Sequence, residues 1–353
     1  MINQENYILL DLLDLLQKYT DGNHTLTQTQ ILNILKEEYG ILVARKTVKN
    51  NMEKLMSYTK RLNYKTTKRR YINKKTNEKE IYETYTDFWY EHDFEPSELR
   101  LLIDSILFSK QIPSSQRADL IEKIEGLSSK YFNARMAHIH TLSSDESRNS
   151  QLFNTIAQLD DAITNQKQVA FYYNKYQINE RAKLELTPQL TKDGEVREYV
   201  MNPYQIVTAN GHYYLICNND KYDNLSHYRL DRITECKMLK RRRKKIEKVE
   251  GQRYGLNLSQ HMAEHIYMFR GESSSVQLRF DKRLLSDFVD WFGTEQIHFS
   301  NQTEEQVTAR VTVNLMAMRK WALQYATHVR VLSPQSLVDE IREDIQKAVE
   351  NYQ

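Results

Sequence analysis

Five short runs of alternating apolar and polar residues follow one another between residues 168 and 239, with turn residues between them. A two-residue period is typical of β-strands that bury one face. Within this region the Asn210-Gly211 pair predicts a hairpin turn. A sheet of short, closely spaced strands leaves no unpaired edge strand if it closes into a barrel. The pattern therefore favours a small barrel over an open sheet. The runs are 168–173, 183–187, 198–208, 212–218 and 226–239.

The last run carries cationic residues that make the expected barrel a candidate binding module. In an alternating strand His227, Arg229 and Asp231 share one face, and the residues between them face the core. Asp231 would then either orient Arg229 or cancel part of its charge. Arg232 breaks the alternation, so a bulge or a strand end must redirect this side chain if it also reaches a pocket.

Three short motifs in these runs resemble the WYL domain, a ligand-sensing module of bacterial transcription regulators. The motifs are Pro203-Tyr204, Gly211-His212-Tyr213-Tyr214-Leu215 and Arg229-Leu230-Asp231-Arg232-Ile233. The Trp-Tyr-Leu that names the family reads Tyr213-Tyr214-Leu215 here, so a Tyr stands at the position of the Trp. The resemblance implies an Sm/SH3-like β-barrel for residues 160–245, with a pocket for nucleotides or single-stranded nucleic acid.

The residue types in these motifs suit such a ligand. Arg binds phosphate through paired hydrogen bonds and also stacks on bases, and Tyr offers a stacking face with a hydroxyl. Aromatic residues in strands also serve in cores, so the arginines carry more weight than the tyrosines, and His227 carries least. The candidate ligand-binding residues are Tyr204, Tyr214, His227, Arg229 and Arg232.

Helical patterns precede the strands at the start of the chain. Residues 4–19 have apolar residues at helical spacing, and Thr27-Gln28-Thr29-Gln30 predicts a capping box that begins a second helix. A third helix starts after Ala44, which lacks the side-chain oxygen of a good N-cap, and it presents a basic outward face. Strand-like runs at 62–72 and 79–86 follow, and this order predicts a winged helix-turn-helix.

Basic residues are concentrated in two zones. The formal net charge is only +3, but residues 45–75 hold twelve Lys or Arg and one acidic residue, and residues 229–248 hold ten and three. Such zones on an otherwise acidic chain suggest polyanion sites. A solvated surface is the alternative, and it is equally open for the run Lys240–Lys245. The candidate DNA-binding residues are Arg45, Lys46, Thr47, Lys49, Asn50, Lys68, Arg69, Arg70, Lys74 and Lys75.

Two further segments complete the expected organisation. Residues 95–166 have helical patterns and suit a spacer or a dimerisation platform. Residues 276–353 predict the strand-helix-strand-strand-helix-strand order of a ferredoxin-like unit, followed by a terminal helix. The expected fold class is therefore α+β and multidomain. The predicted domains are a winged helix-turn-helix at 1–90, a helical linker at 91–160, a WYL barrel at 161–250 and a C-terminal extension at 251–353.

Several classes of function are disfavoured. No run approaches the roughly 18 apolar residues of a membrane span, and the start lacks a signal-peptide pattern. Two cysteines and a mean hydropathy of −0.71 suit a soluble protein in a reducing cytosol. No phosphate loop or nucleophile elbow occurs. The segment 261–265 matches the H-x-x-E-H of one zinc peptidase class, but no third ligand is evident nearby, which favours incidental histidines. No enzyme activity, metal or cofactor is therefore expected.

The expected function is that of a ligand-responsive, DNA-binding transcriptional regulator. The resemblance implies a cytoplasmic homodimer on palindromic operator DNA, with a nucleotide or single-stranded nucleic acid as effector and no membrane partner; repression is the favoured mode. The alternative is an accessory factor that holds single strands with the barrel and Lys240–Lys245 and has no operator of its own. The motifs specify neither the effector nor the operator.

Overall fold

A computed structural model describes residues 4–72, 79–109, 112–132, 150–295 and 297–353. These residues form a mixed α/β protein, and the chain divides into two compact units, Met1–Asp145 and Glu146–Gln353. Within the described ranges, no helix combines the length and the apolar character needed to cross a membrane. The predicted hairpin tip, with Lys74 and Lys75, and the predicted linker at 139–149 lie outside the described residues.

The first unit begins with three helices and a two-stranded antiparallel sheet. The helices are α1 (Gln4–Tyr19), α2 (Gln28–Glu37) and α3 (Arg45–Tyr58), and the strands are β1 (Leu62–Ile72) and β2 (Lys79–Tyr90). Apolar side chains of all three helices share one core with Phe88 of β2. The helices lie where the apolar periodicity predicts them, and β2 extends four residues beyond the run expected at 79–86.

Local signals explain where these helices begin and end. Thr27 caps α2, because its side chain accepts a hydrogen bond from the N–H of Gln30, and the Gln30 side chain accepts one from the N–H of Thr27 at 2.8 Å. Gly40 follows α2 with a φ of +67°, a conformation that glycine adopts without steric cost. Ala44 is the N-cap of α3 and makes no side-chain cap, so the weak start predicted for this helix is observed.

Two more helices complete the described part of the first unit. They are α4 (Pro96–Leu107), which begins with its proline, and α5 (Ser114–Glu125). A small apolar core joins them through Ile103, Leu107 and Ile121.

The second unit begins with α6 (Leu152–Thr164) and a curved sheet. The strands are β3 (Lys167–Ile178), β4 (Leu184–Pro188), β5 (Glu198–Ala209), β6 (His212–Asn218), β7 (Ser226–Arg229) and β8 (Ile233–Arg242). They pair in the order β4-β3-β5-β6-β7, and β8 returns to pair with β3. Because β7 leads into β8 through a short 3-10 turn, the sheet curls into a partial barrel.

The core of this partial barrel also includes α6. Tyr228 and Leu230 are buried in it, as the alternation predicts, and Leu159 of α6 packs with them. The boundary expected at residue 160, between the helical linker and the barrel, therefore falls inside a helix that packs on the barrel.

The run 226–239 is not one continuous strand, which corrects the sequence-based expectation. The strand β7 ends at Arg229, a 3-10 turn spans Leu230–Arg232, and β8 begins at Ile233. The physical reason lies in the turn itself, where the side chain of Asp231 folds back to accept hydrogen bonds from Arg229. Regular strand geometry therefore ends at Arg229, although Leu230 in the turn is still buried in the core, and Asp231 is buried as well.

The rest of the second unit contains a four-stranded antiparallel sheet. Its elements, after the short helix α7 (Leu258–Glu264), are β9 (Ser273–Asp281), α8 (Leu285–Phe292), β10 (His298–Ser300), β11 (Gln306–Asn314), α9 (Leu315–Gln324), β12 (Val329–Ser333) and α10 (Gln335–Glu350). The strands lie in the order β10-β11-β9-β12. Phe280, Phe288 and Trp321 are fully buried between the sheet and its helices.

Candidate functional site

The outward face of α3 is basic. Arg45, Lys46, Lys49 and Asn50 are exposed, Thr47 is half-buried, and the apolar side chains of the opposite face are buried. The structure therefore brings five of the predicted DNA-binding residues to one side of a helix, and their role stays a prediction.

Among the residues that the structure describes, few contacts use these charges. The Nε of Arg45 donates to Oε1 of Gln28 at 3.2 Å. The Nζ of Lys49 lies 3.7 Å from Oε1 of Glu53, and 59% of the Lys49 side chain is exposed. An exposed pair of this kind contributes little to stability, so Lys49 can exchange its partner for another anion at little cost.

The first strand of the hairpin continues the basic surface, but its partner strand is acidic. Lys68, Arg69 and Arg70 are exposed on β1. The antiparallel register places Glu83 opposite Lys68, with 3.8 Å between Nζ and Oε1. The second strand thus offsets part of the positive charge that the count for residues 45–75 suggests, a pairing that only the register reveals.

In the partial barrel, Arg229 and Asp231 form an ion pair with two hydrogen bonds. The Nε of Arg229 donates to Oδ1 at 3.0 Å, and Nη2 donates to Oδ2 at 2.6 Å. The side chains are 20% and 11% exposed. Burial lowers the pKa of Arg229, but the hydrogen bond and the charge of Asp231 outweigh burial and hold the pKa above its usual value. Asp231 thus both orients Arg229 and offsets its charge.

Aromatic residues and a second arginine surround this pair. Tyr214 lies opposite Arg229 in the register of β6 and β7, so the two side chains share a face. Burial raises the pKa of Tyr214, and the charges of Arg229 and Arg232 act in the opposite direction. The hydroxyl of Tyr173 accepts a hydrogen bond from the N–H of Arg229 at 3.3 Å. Three of the five predicted ligand-binding residues therefore lie together.

Arg232 is redirected by the end of β7, as expected if it is to reach the pocket. Its guanidinium carbon lies 5.3 Å from the centroid of the Tyr176 ring, within the range of a cation–π contact. Its Nε is buried and has no hydrogen-bond partner within the part of the chain that the structure describes. An acceptor on a ligand could satisfy this donor.

Tyr204 belongs to a different part of the barrel. It is buried, its hydroxyl donates to the carbonyl of Lys244 at 3.0 Å, and the guanidinium carbon of Arg243 lies 4.9 Å from its ring centroid. Its contacts in the described ranges do not include Arg229. Tyr204 thus fixes the end of β8, whereas the motif resemblance nominates it as a pocket wall.

The basic run Lys240–Lys245 is partly bound to the protein. Arg243 donates to the carbonyl of Pro203 in addition to stacking on a ring. The Nζ of Lys244 lies 3.3 Å from Oδ1 of Asp223, and its side chain is 19% exposed. The Nη2 of Arg241 lies 3.3 Å from Oδ2 of Asp220. Three of the six cations therefore have structural partners, and Lys240, Arg242 and Lys245 are exposed.

His227 contacts two other histidines, which no local sequence signal relates to it. Its Nε2 lies 2.8 Å from Nε2 of His261, and its ring centroid lies 5.2 Å from that of His265. Burial, and then the neighbouring imidazoles, lower the pKa of His227 to about 3, and burial also lowers that of His261 to about 3. Burial also lowers the pKa of His265, so the surroundings favour the neutral form of each ring. The two histidines of the H-x-x-E-H segment, which the sequence suggested were incidental, thus lie close to His227.

Two family models match the chain. A WYL domain matches residues 154–238, and a WCX domain matches residues 272–349. The chain therefore contains a WYL domain followed by a WCX domain. The resemblance inferred from the three motifs is confirmed by the first match, and the second lies within the expected C-terminal extension. No curated protein matches this sequence.

Solved structures show more distant likenesses. The proteasome accessory factor B/C (PafBC) of Arthrobacter aurescens is 16% identical with a TM-score of 0.27, over 99% of this chain and 49% of that one. This chain therefore spans about half the length of PafBC. A CRISPR Cas-related protein is 13% identical with a TM-score of 0.36, over 100% of this chain and 87% of that one. At these values neither likeness supports a functional conclusion.

The WYL match helps to sort the candidate residues. Arg229, Asp231 and Arg232 all lie inside the matched WYL domain, as does His227. His261 and His265, four residues apart, lie in the segment 239–271, which neither family model covers. The histidine cluster is thus shared between a WYL strand and the connection to the WCX domain.

Proposed function

We propose that this WYL-domain protein is a DNA-binding transcriptional regulator whose partial barrel senses an anionic ligand. The observation that carries the proposal is the exposed basic face of α3, held on a buried apolar core. Long positive side chains on a rigid helix suit contacts with the phosphates of duplex DNA.

We assign the helices α2 and α3 as a helix-turn-helix and the β1–β2 hairpin as its wing. In such a motif the second helix enters the major groove, and flanking parts contact the backbone. Lys46 and Lys49 would bind phosphates, together with Lys68 on the wing. Asn50 is the candidate for reading a base, because an Asn side chain can pair with adenine through two hydrogen bonds.

The ligand site of this proposal consists of Arg229, Arg232 and Tyr214. A phosphate would bind the guanidinium groups, and a base would stack on the tyrosine ring. The unpartnered Nε of Arg232 in the described residues supports a ligand with hydrogen-bond acceptors. A nucleotide or a short single strand offers both kinds of group. Tyr204 and His227 have other partners, and we leave them out of this site.

We infer that the regulator acts in the cytoplasm as a homodimeric repressor and that no catalytic step is involved. Ligand would induce transcription only if it binds two arrangements of the dimer with different affinity. The helices α4 and α5 are one candidate dimer surface. The C-terminal sheet, which we assign as ferredoxin-like from its strand order, is the other.

The test is binding-site selection with the purified full chain, followed by gel shifts over a range of salt concentrations. Log K falls as log salt rises, and each lost phosphate contact makes this slope shallower by about 0.9. The double variant Lys46→Ala/Lys49→Ala should therefore make the slope shallower by about 1.8. The matched control is Lys183→Ala/Lys192→Ala, which removes two exposed lysines from the second unit. Equal slopes for both double variants would exclude α3 from the interface, and failure to bind any duplex at low salt would refute the proposal.

A second candidate is an accessory factor that holds single strands without an operator. The exposed Lys240, Arg242 and Lys245 at the end of β8 favour it, because such cations can track a nucleic-acid backbone. Footprinting separates the two candidates, since a regulator protects one discrete duplex site and an accessory factor protects none.

A further inference from the structure

We propose that His227, His261 and His265 bind a divalent transition-metal ion of the Zn²⁺ type. One imidazole nitrogen from each lies within 4.8 Å of the others. His227 comes from β7, whereas the other two come from α7 and its C-terminal end. Three ligands from two separate elements therefore meet at one point.

The distances fit a single ion. Zn²⁺ binds imidazole nitrogen at about 2.0–2.1 Å, which in tetrahedral geometry separates two ligand nitrogens by about 3.3 Å. The separation of 2.8 Å between Nε2 of His227 and Nε2 of His261 is close to this value, and the ligand nitrogens of all three rings lie within 4.8 Å of one another. Three ligands leave a fourth position for water or another ligand.

The donor set favours a borderline metal over Mg²⁺ or Ca²⁺. Neutral imidazole suits Zn²⁺, Cu²⁺ and Ni²⁺, whereas the harder ions prefer oxygen ligands. The Nδ1 of His265 lies 3.0 Å from the carbonyl of His261. A proton on this Nδ1 would leave Nε2 with the lone pair that a metal ion needs, and such an outer hydrogen bond is usual for metal-bound histidine.

Two charged residues act on the cluster in opposite directions. The negative carboxylate of Glu264 stabilises a positive charge at His265. The positive guanidinium of Arg270 destabilises a positive charge at His227. The Nη2 of Arg270 donates to the hydroxyl of Tyr228 at 2.6 Å, so this cation already has a partner. A neutral hydroxyl leaves the charge of Arg270 in place, so coordination by the imidazoles must outweigh this repulsion for an ion to bind.

The site differs from that of the zinc peptidases suggested by the H-x-x-E-H spacing. The helix α7 has only seven residues and ends at Glu264, so His265 lies at its C-cap with φ −110° and ψ 55°. Glu264 accepts a hydrogen bond from Gln260 at 2.8 Å. A bound ion would instead link α7 to β7 through His227. This histidine lies two residues before Arg229 and on the same face of the strand. Metal and ligand would then act on one strand of the WYL domain.

The experiment uses the untagged full chain, freed of metal with a chelator and titrated with Zn²⁺ by calorimetry. We expect one tight equivalent. Loss of an outer hydrogen-bond partner of a metal ligand costs about 10- to 100-fold in affinity, so loss of a ligand in His227→Ala or His261→Ala should cost at least about 100-fold. The control is His298→Ala, an exposed histidine on β10 that should bind like the wild type.

Absence of tight Zn²⁺ binding by the wild type would overturn the proposal, and so would equal binding by all the variants. In either case the 2.8 Å contact would be a hydrogen bond between neutral imidazoles. Because a variant can fail to fold, Co²⁺ bound to the wild-type chain provides a second readout. Intense visible absorption typical of a four-coordinate site supports the proposal, and its absence contradicts it.

Discussion

Replacing Asp231 with Asn is expected to free Arg229 for an external anion. In the folded protein the carboxylate accepts two hydrogen bonds from the guanidinium, at 3.0 and 2.6 Å, and both side chains are mostly buried. A phosphate must compete with this internal partner before it can bind Arg229. Asn has the same shape and still accepts one hydrogen bond, so the guanidinium keeps its position but loses its counter-charge.

The size of the effect follows from the kind of bond that is lost. A hydrogen bond to a charged group contributes about 1.5–3 kcal/mol, and the residual exposure of Arg229 argues for the lower part of this range. A loss of about 2 kcal/mol corresponds to about 30-fold tighter binding of the anion. The same change should lower the free energy of unfolding by a similar amount, since the buried cation loses its partner.

Calorimetry with a 5′-mononucleotide and with inorganic phosphate measures the affinity, and chemical denaturation measures the stability. The control is Asp193→Asn, which removes an exposed carboxylate from a loop of the same unit. The reasoning would be refuted if Asp231→Asn bound the anion no more tightly than the wild type. It would also be refuted if Arg229→Ala bound as well as the wild type, because Arg229 would then lie outside the ligand site.

Three further predictions concern separate parts of the chain. Ala44→Ser should raise the free energy of unfolding by about 1 kcal/mol, because the N-cap of α3 lacks a side-chain acceptor; an unchanged denaturation midpoint would contradict this. Leu55→Ala should lower it by about 2–5 kcal/mol, because Leu55 is buried in the core of the first unit; a smaller loss in chemical denaturation would mean that the site collapses. Arg229→Ala should leave operator affinity unchanged in gel shifts and abolish induction by ligand in a reporter strain. Normal induction would show that Arg229 is not part of the ligand site.

The sequence by itself determined the elements and much of the core. The helices α1 to α3, the capping box at Thr27 and the burial of Tyr228 and Leu230 follow from local patterns. These features depend on which backbone conformation a short segment prefers and on which of its faces is apolar, and both are visible in neighbouring residues. The WYL resemblance rested on motifs of the same local kind.

Only the tertiary structure decided which residues meet. It ended β7 at Arg229, turned Asp231 back onto that arginine and set Glu83 opposite Lys68. It also separated Tyr204 from Arg229 and Arg232 and brought His227 to two histidines more than thirty residues away. Such encounters depend on strand register, turn geometry and the docking of a helix on a sheet. Those are properties of the whole packed unit, so no pattern in neighbouring residues reports them.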